Sequence, residues 1–330
     1  MSLHGSTKAG DKDVAKAHWA AEPERSHMWA LHLIRWLAVG AGRRLTRLLL
    51  HPIALYFVLA NTKARRASRD YLSRILGRPA RLTDGYRHVH RFASTVLDRI
   101  YFLQERFELF DVRITDGDAI HVPLAQGEGV IAIGAHLGSF EALRADAQAR
   151  GERVAMLMYE ANARMINATL AAVAPKADVH TIGLGQAGAM LALRRFLDGG
   201  GIAGLLADRT LPGASGRSRT HWIDFLGRPA PFSDGPFRLA AMLKRRVIFV
   251  AGLYHGRNRY ELVFAELADF RHLGAEPREE TDRRVREALE GYVRRMEDTC
   301  RASPYNWFNF YDFWAADAND PSAATPDAAP

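Results

Sequence analysis

The sequence predicts an α/β protein with a mostly parallel central sheet flanked by helices, preceded by an amphipathic helical segment. Two observations predict it. Short apolar runs alternate with helical stretches from residue 129 onward, as expected where a largely parallel sheet is covered by helices. Before that point, apolar and basic residues are interleaved in long stretches that lack strand alternation.

The apolar runs are Gly129–Gly134, Arg153–Met158, Val179–Ile182, Gly201–Ala207, Arg246–Gly252 and Tyr260–Phe264. Helical stretches are expected at about 140–150, 161–174, 187–198, 235–244 and 278–302, and a further one over 84–110. The organisation read from these patterns is a loose tail over 1–27, apolar-basic membrane-associating helices over 28–83, an α/β domain over 84–314 and a disordered tail over 315–330, rich in Ala, Asp and Pro. The N-terminal helices should break near Gly40–Gly42 and at Pro52.

The chain has 330 residues, enough for one large domain, and a net charge of +8. Eleven Arg and Lys residues but a single acid, Asp70, lie between Arg35 and Arg81, threaded with Trp36, Leu48, Leu49, Leu50, Ile53, Tyr56, Phe57 and Val58. Cations flanking apolar residues describe a segment that lies on anionic lipid. The best candidate for a span, Leu48–Thr62, has 15 uncharged residues and contains His51 and Pro52, whereas a span needs about 20 apolar residues. An interfacial anchor is therefore expected rather than a crossing. The first 27 residues lack the apolar core of a secretory signal, which places the globular part on the cytoplasmic side.

Cys300 is the single cysteine, which excludes an internal disulfide and reads as structural. No His-Glu-x-x-His or Cys pair points to a metal, no phosphate-binding Gly-x4-Gly-Lys-Ser/Thr loop is present, and no nucleic-acid-binding motif accompanies the basic charge. No cofactor is expected. Gly183 to Gly188 matches Gly-x-Gly-x-x-Gly with Asp208 20 residues on, the spacing of a dinucleotide site, although the same glycines serve any tight strand-to-helix turn.

The chemical signal is concentrated in residues 129–141. A buried strand runs into Gly134, His136 follows at its C-terminal end, Leu137 and Gly138 turn, Ser139 N-caps a helix, and Glu141 falls in that helix's first turn. A neutral imidazole can take a hydroxyl proton near pH 7, and a carboxylate on its other nitrogen fixes the tautomer. The His-x4-Glu spacing across such a turn would bring Glu141 to His136. The alternative is a histidine satisfied by backbone, with Glu141 serving only as a charge at a helix N-terminus.

At these residues the chain resembles the lipid A biosynthesis acyltransferases, the late lauroyl and myristoyl transferases within the wider lysophospholipid acyltransferase superfamily. Four features carry the resemblance over about residues 28–314: the apolar-basic segment with Tyr56–Phe57; Gly134 to Glu141; Gly204 to Arg209, followed by Phe225 to Ala230 and Gly235 to Arg238; and the aromatic end, Pro304 to Trp314. Ser139 and Phe140 stand where the family usually has Asn and Trp, and Asn309 and Asp312 where basic residues are common.

The resemblance implies an enzyme of the inner membrane's cytoplasmic face that transfers a fatty acyl chain from acyl carrier protein, or coenzyme A, to a lipid or glycolipid hydroxyl. It implies His136 as base and Glu141 as the residue orienting it. Gly138 and Ser139 are expected to offer backbone amides to the oxyanion, and Asp208 and Arg209 to line the site. Arg228 and Arg238 are candidates for phosphate, Asn162 for substrate, and Arg194–Arg195 and Lys244–Arg245–Arg246 for the acidic carrier. A noncatalytic membrane-interaction protein and a dinucleotide-binding oxidoreductase are the competing readings.

Overall fold

The computed structural model describes residues 25–159, 180–186, 188–209, 219–274 and 277–314. In chain order the elements are α1 (Arg25–Ala60), α2 (Thr62–Leu76), α3 (Leu82–Leu103), β1 (Asp111–Thr115), α4 (Asp118–Ala125), β2 (Val130–Gly134), α5 (Phe140–Ala149), β3 (Val154–Tyr159), β4 (Thr181–Leu184), α6 (Ala189–Asp198), β5 (Ile202–Leu206), β6 (Thr220–Phe225), β7 (Arg228–Ser233), α7 (Gly235–Leu243), β8 (Arg246–Gly256), β9 (Arg259–Asp269) and α8 (Arg278–Ala302). The helix expected over 161–174 and both expected tails fall wholly or mostly outside the described residues.

Among the described residues, seven strands form one sheet in the order β1-β9-β8-β2-β5-β3-β4. Every pairing is parallel except β8–β9, a long antiparallel hairpin. The fold is α/β, as the alternation of runs predicts. The central strand β2 is buried at all five positions, which is why its sequence is a continuous apolar run instead of an alternating one. On α8, Val285, Ala288, Leu289, Tyr292, Val293, Met296 and Cys300 follow helical spacing and are buried, while Arg286–Glu290 and Arg301–Glu297 pair one turn apart on the outer face. Cys300 is thus a core residue.

Three elements escape the sequence pattern. β1 is short and mostly exposed, and α4 contains Pro123. The hairpin β6–β7 holds Pro229 and Pro231, which read as strand breakers. A two-stranded ribbon tolerates them because each strand has a free edge on which a missing N–H costs no ladder bond.

At the N-terminus the expected break at Gly42 occurs, with φ 76° and ψ 165°. The expected break at Pro52 does not: the helix runs on to Ala60. Pro52 and Leu48, the residue whose carbonyl loses its donor, both lie on the exposed side, where solvent lessens the penalty. Asn61 caps α2, and the helices 42–60 and 62–76 meet at 95°. No single helix among the described residues is long and apolar enough to cross a membrane. Residue 83 does not divide two cores, because Tyr71, Leu72 and Ile75 of α2 join the main core.

A buried carboxylate fastens these helices to the sheet. Asp98 on α3 accepts hydrogen bonds from Arg43 Nε and Nη2, both 2.8 Å, and from Tyr260 Oη at 2.8 Å. Burial pushes the Asp98 carboxyl up, and the Arg43 and Tyr260 bonds oppose that rise. Removing one partner of such a group leaves a charge without its counter-ion. Asp98→Ala is expected to lower unfolding free energy by about 3–5 kcal/mol in denaturant titration; a loss under about 1 kcal/mol would show that the pairing is not what holds α1 to the body.

Candidate active site

Strands β2 and β5 lie side by side in parallel register, with Gly134 opposite Leu206. Two residues beyond each, at the carboxyl edge of the sheet, stand His136 and Asp208. The register alone brings them level. Asp208 is 2% exposed. Its Oδ1 lies 2.9 Å from His136 Nδ1, and its Oδ2 accepts the His136 backbone N–H at 3.1 Å and the Trp307 indole N–H at 3.0 Å. An ionised carboxylate can only accept, so the proton between them belongs to Nδ1, and in the neutral ring Nε2 carries the lone pair. The His136 side chain is 32% exposed. Burial by itself would raise the Asp208 carboxyl, but the charge and hydrogen bond of His136, the Arg209 charge and the Trp307 donor hold it well below the usual carboxylate range.

The expected His136–Glu141 contact is not formed. Glu141 is buried in the first turn of α5, where its Oε1 pairs with Arg99 Nε at 2.7 Å and its Oε2 accepts from Ser139 Oγ at 3.4 Å. The spacing within one turn gave the right neighbourhood but the wrong partner, because the His136 ring turns sideways along the sheet toward β5.

The loop between β2 and α5 is clamped on both sides. Leu137 bridges Trp307, and Gly138 bridges Gly252 of β8. Gly138 has φ +69°, and a Cβ there would come 1.9 Å from the Gly252 carbonyl oxygen, so no other residue fits. Its N–H donates to Asn306 O at 2.9 Å, and the Ser139 N–H donates to Gly252 O at 2.7 Å. Both amides expected to serve an oxyanion are therefore spent on the fold. Ser139 does cap α5, accepting from the Ala142 N–H.

The C-terminal segment after α8 forms the other wall. Phe308 N–H donates to His136 O at 2.8 Å, and the Asn306 side chain makes two bonds to the Tyr254 backbone. Behind it, Ser68 Oγ lies 2.8 Å from His88 Nδ1, and His88 Nε2 lies 2.7 Å from Trp307 O. That carbonyl can only accept, so Nε2 carries the proton and Ser68 donates to Nδ1. A chain of hydrogen bonds thus runs from α2 through α3 and Trp307 to Asp208. Trp307, Phe308, Phe313 and Trp314 are buried, which makes the aromatic end core. Tyr311 is 39% exposed, with the Arg209 guanidinium 5.2 Å from its ring centre.

The other candidates divide. Arg209 stands on the rim beside Asp208. Arg228 is exposed at the tip of the β6–β7 hairpin, whose Phe225 packs edge-on against Trp307 at 5.3 Å. Arg238 is paired with Asp234 at 2.8 Å and Asp282 at 2.5 Å, so its charge is already met within the fold. Arg246 is level with Val130, at the opposite edge of the sheet from His136; six residues of strand separate the two levels, roughly 20 Å. It pairs with Glu128, Glu266 and Asp269, and Arg245 and Arg194 both pair with Asp198. These clusters do not border the site. Asn162 lies outside the described residues. Asp208 is committed to His136, so it is not free to bind a ribose as the Gly183–Gly188 reading requires. Trp307, Asn306, His88 and Arg99 were not singled out from the sequence, since nothing local marks a residue whose partner is 42 to 219 positions away.

Compared with known proteins, the chain matches no family model and no curated protein.

His88 is fully buried, and burial pushes it from its ordinary 6.5 down to about 4, against the raising effect of its bond to Trp307. The unfolded chain therefore binds a proton that the folded one refuses as pH falls from 6.5 to 4. Stability is unaffected above that window and declines through it, by about 3 kcal/mol at most from this group. Denaturant titrations at pH 7 and pH 5 should show the decline, and His88→Gln should reduce it; an unchanged pH dependence in that variant would exclude His88 as its source.

Proposed function

We propose that this protein is a membrane-surface acyltransferase that moves a fatty acyl chain from a carrier thioester to a hydroxyl of a lipid or glycolipid. The observation that carries the reading is the His136–Asp208 pair: a half-exposed imidazole, oriented through Nδ1 by a buried carboxylate, at the carboxyl edge of a parallel sheet where α/β active sites form. The ordered motifs shared with the lipid A acyltransferases support the same class.

In this mechanism the acceptor hydroxyl lies against His136 Nε2. The imidazole takes its proton as the oxygen attacks the thioester carbonyl, and Asp208 stabilises the imidazolium. The tetrahedral intermediate collapses, the carbon–sulfur bond breaks, and the carrier thiolate recovers the proton from His136. With the Gly138 and Ser139 amides occupied, the donors left for the oxyanion are the first-turn amides of α5 at Phe140 and Glu141, and the Arg209 guanidinium. Acyl carrier protein, which is acidic, is the donor most compatible with the basic chain.

Membrane attachment rests on α1. Thr46, Leu50, Ala54 and Val58 are buried at four-residue spacing, while Leu45, Leu48, Leu49, Leu55, Tyr56, Phe57 and Leu59 are 41–67% exposed. Arg44, Lys63, Arg66 and Arg69 flank that apolar face and are exposed. The pattern fits a helix lying in the headgroup region of the inner membrane's cytoplasmic leaflet.

Transfer from labelled acyl carrier protein into a total membrane lipid extract tests the reaction. His136→Ala and Asp208→Asn are each expected to reduce the rate by about 10²–10⁴-fold, and Glu141→Gln by less. A folded His136→Ala protein with the wild-type rate would sink the proposal, and absence of product with intact vesicle binding would favour a noncatalytic membrane protein. Trp307→Phe keeps the ring and removes one donor from Asp208. The carboxylate then holds the imidazolium more strongly, so the acid limb of the kcat/KM profile should move to higher pH; an unmoved limb would reduce Trp307 to packing.

A further inference from the structure

Helices α1 and α3 enclose a second group of ionisable side chains that the proposed reaction does not use. His51 of α1 stacks on His90 of α3, with ring centres 4.6 Å apart and planes 27° from parallel. His51 Nδ1 lies 2.5 Å from Tyr86 Oη. The Nε2 atom of His90 is buried and has no hydrogen-bond partner among the described residues. A polar nitrogen kept from water without a partner is costly, and it is uncommon in a well-packed structure.

The surroundings are cationic. Arg47 donates to Tyr254 Oη at 2.6 Å and to Arg257 O at 2.7 Å, and Arg91 donates to Tyr254 O at 2.7 Å. Arg87, three residues before His90 on the same helix, is exposed. Asp98, 3.9 Å from Arg47, is already taken by Arg43 and Tyr260. Burial, then the charges of His51, Arg47 and Arg91, push the His90 imidazole down to about 4. The fold thus gathers two imidazoles and two anchored guanidinium groups around an unpartnered ring nitrogen, and among the described residues no ion pair joins a carboxylate to either imidazole.

The position of this cluster is informative. His51 is exposed and lies between Leu48 and Leu55 on the apolar face of α1. On α3, Phe92 follows His90 and Arg91, is 39% exposed, and packs against Phe308 at 5.2 Å and Phe310 at 5.3 Å. The Phe308 N–H is the one that holds the His136 carbonyl. The cluster therefore lies where α1 meets α3, while Phe92 and His88, four residues apart, pack on the wall of the His136 site from another face of α3.

We propose that His51, His90, Arg47 and Arg91 form a binding site for a phosphate monoester. The anionic oxygens accept hydrogen bonds from the two imidazoles, and the fixed guanidinium groups balance the charge. Once bound, the phosphate supplies the acceptor that His90 Nε2 lacks and makes protonation of both rings favourable. A phosphate on a lipid would arrive along the apolar face of α1; a phosphate on a soluble ligand would enter from solvent at His51. The assignment of the site does not require that the protein transfers acyl groups.

The test is NMR titration of the histidine imidazoles in the full chain, labelled at histidine, with His51→Gln and His90→Gln used to assign the two signals. Three probes are compared: inorganic phosphate, phosphatidic acid vesicles and phosphatidylcholine vesicles. Phosphate or phosphatidic acid is expected to shift both signals and to raise the proton affinity of His90 at least tenfold. His180 and His255 serve as unaffected controls. His51→Gln, an exposed position, should weaken binding at least tenfold without loss of fold. A response to phosphatidic acid alone identifies a lipid headgroup as the source, and a response to inorganic phosphate alone identifies a soluble one. Signals unmoved by both, or moved equally by phosphatidylcholine, would overturn the proposal. His136→Ala should respond as the wild type does, which separates failure of this site from failure of the transfer reaction.

Discussion

Burying an ionised carboxylate costs several kcal/mol unless its oxygens are met by donors and its charge by a cation. Asp208 is in that position, and the site is organised around meeting its needs. The donors come from three parts of the chain: the backbone and ring of His136 after β2, the indole of Trp307 after α8, and the charge of Arg209 beside it. Each donor is itself fixed. The His136 carbonyl is held by Phe308, the Trp307 carbonyl by His88, and His88 by Ser68. Loss of any one would leave a buried group unpaired. The imidazole consequently has one tautomer and one orientation before any substrate arrives, which is the preorganisation that general base chemistry requires.

The same dependence explains why the N-terminal helices belong to the body. Ser68 and Tyr71 on α2 and His88 on α3 support the segment 304–308 that walls the site, Tyr71 by donating to Pro304 O at 2.8 Å. The face of α1 opposite this attachment is left apolar and exposed, flanked by basic side chains. One helical layer thus completes the wall of the candidate site on its inner side and leaves an apolar, basic-flanked surface on its outer side. In the proposed function these are two halves of one task, since an acceptor embedded in a bilayer has to reach His136 without leaving it.

Much of this was legible in residue order. The continuous run Val130–Gly134 specified a buried central strand, and Ser139 specified the start of α5. Gly42 marked the helix break, and the apolar spacing on α8 gave its limits. His136 stood out because a histidine at a strand's carboxyl end, just before a capped helix, is placed for chemistry. Where the reading erred, it erred by staying local. Glu141 is five residues from His136 and looked like its partner, yet the partner is 72 positions away. Arg238 looked free although Asp234 stands four residues before it at the start of the same helix; its second carboxylate, Asp282, joins it only when α7 meets α8. The basic cluster at Lys244–Arg246, read as a contact for the acidic carrier, opens β8 at the edge of the sheet opposite His136.

The sequence by itself determined the class of fold, the position of the histidine, and the apolar-basic character of the first helices. These properties are written in spacing and composition, which act over a few residues at a time. Only the tertiary structure decided that Asp208 orients His136 and that Glu141 belongs to Arg99. It also decided that the Gly138 and Ser139 amides are spent and that His51 and His90 meet. The physical reason is common to all of them. Each depends on strand register or helix packing between segments far apart in the chain, and hydrogen-bond partners are chosen by distance in space once the core has fixed those registers.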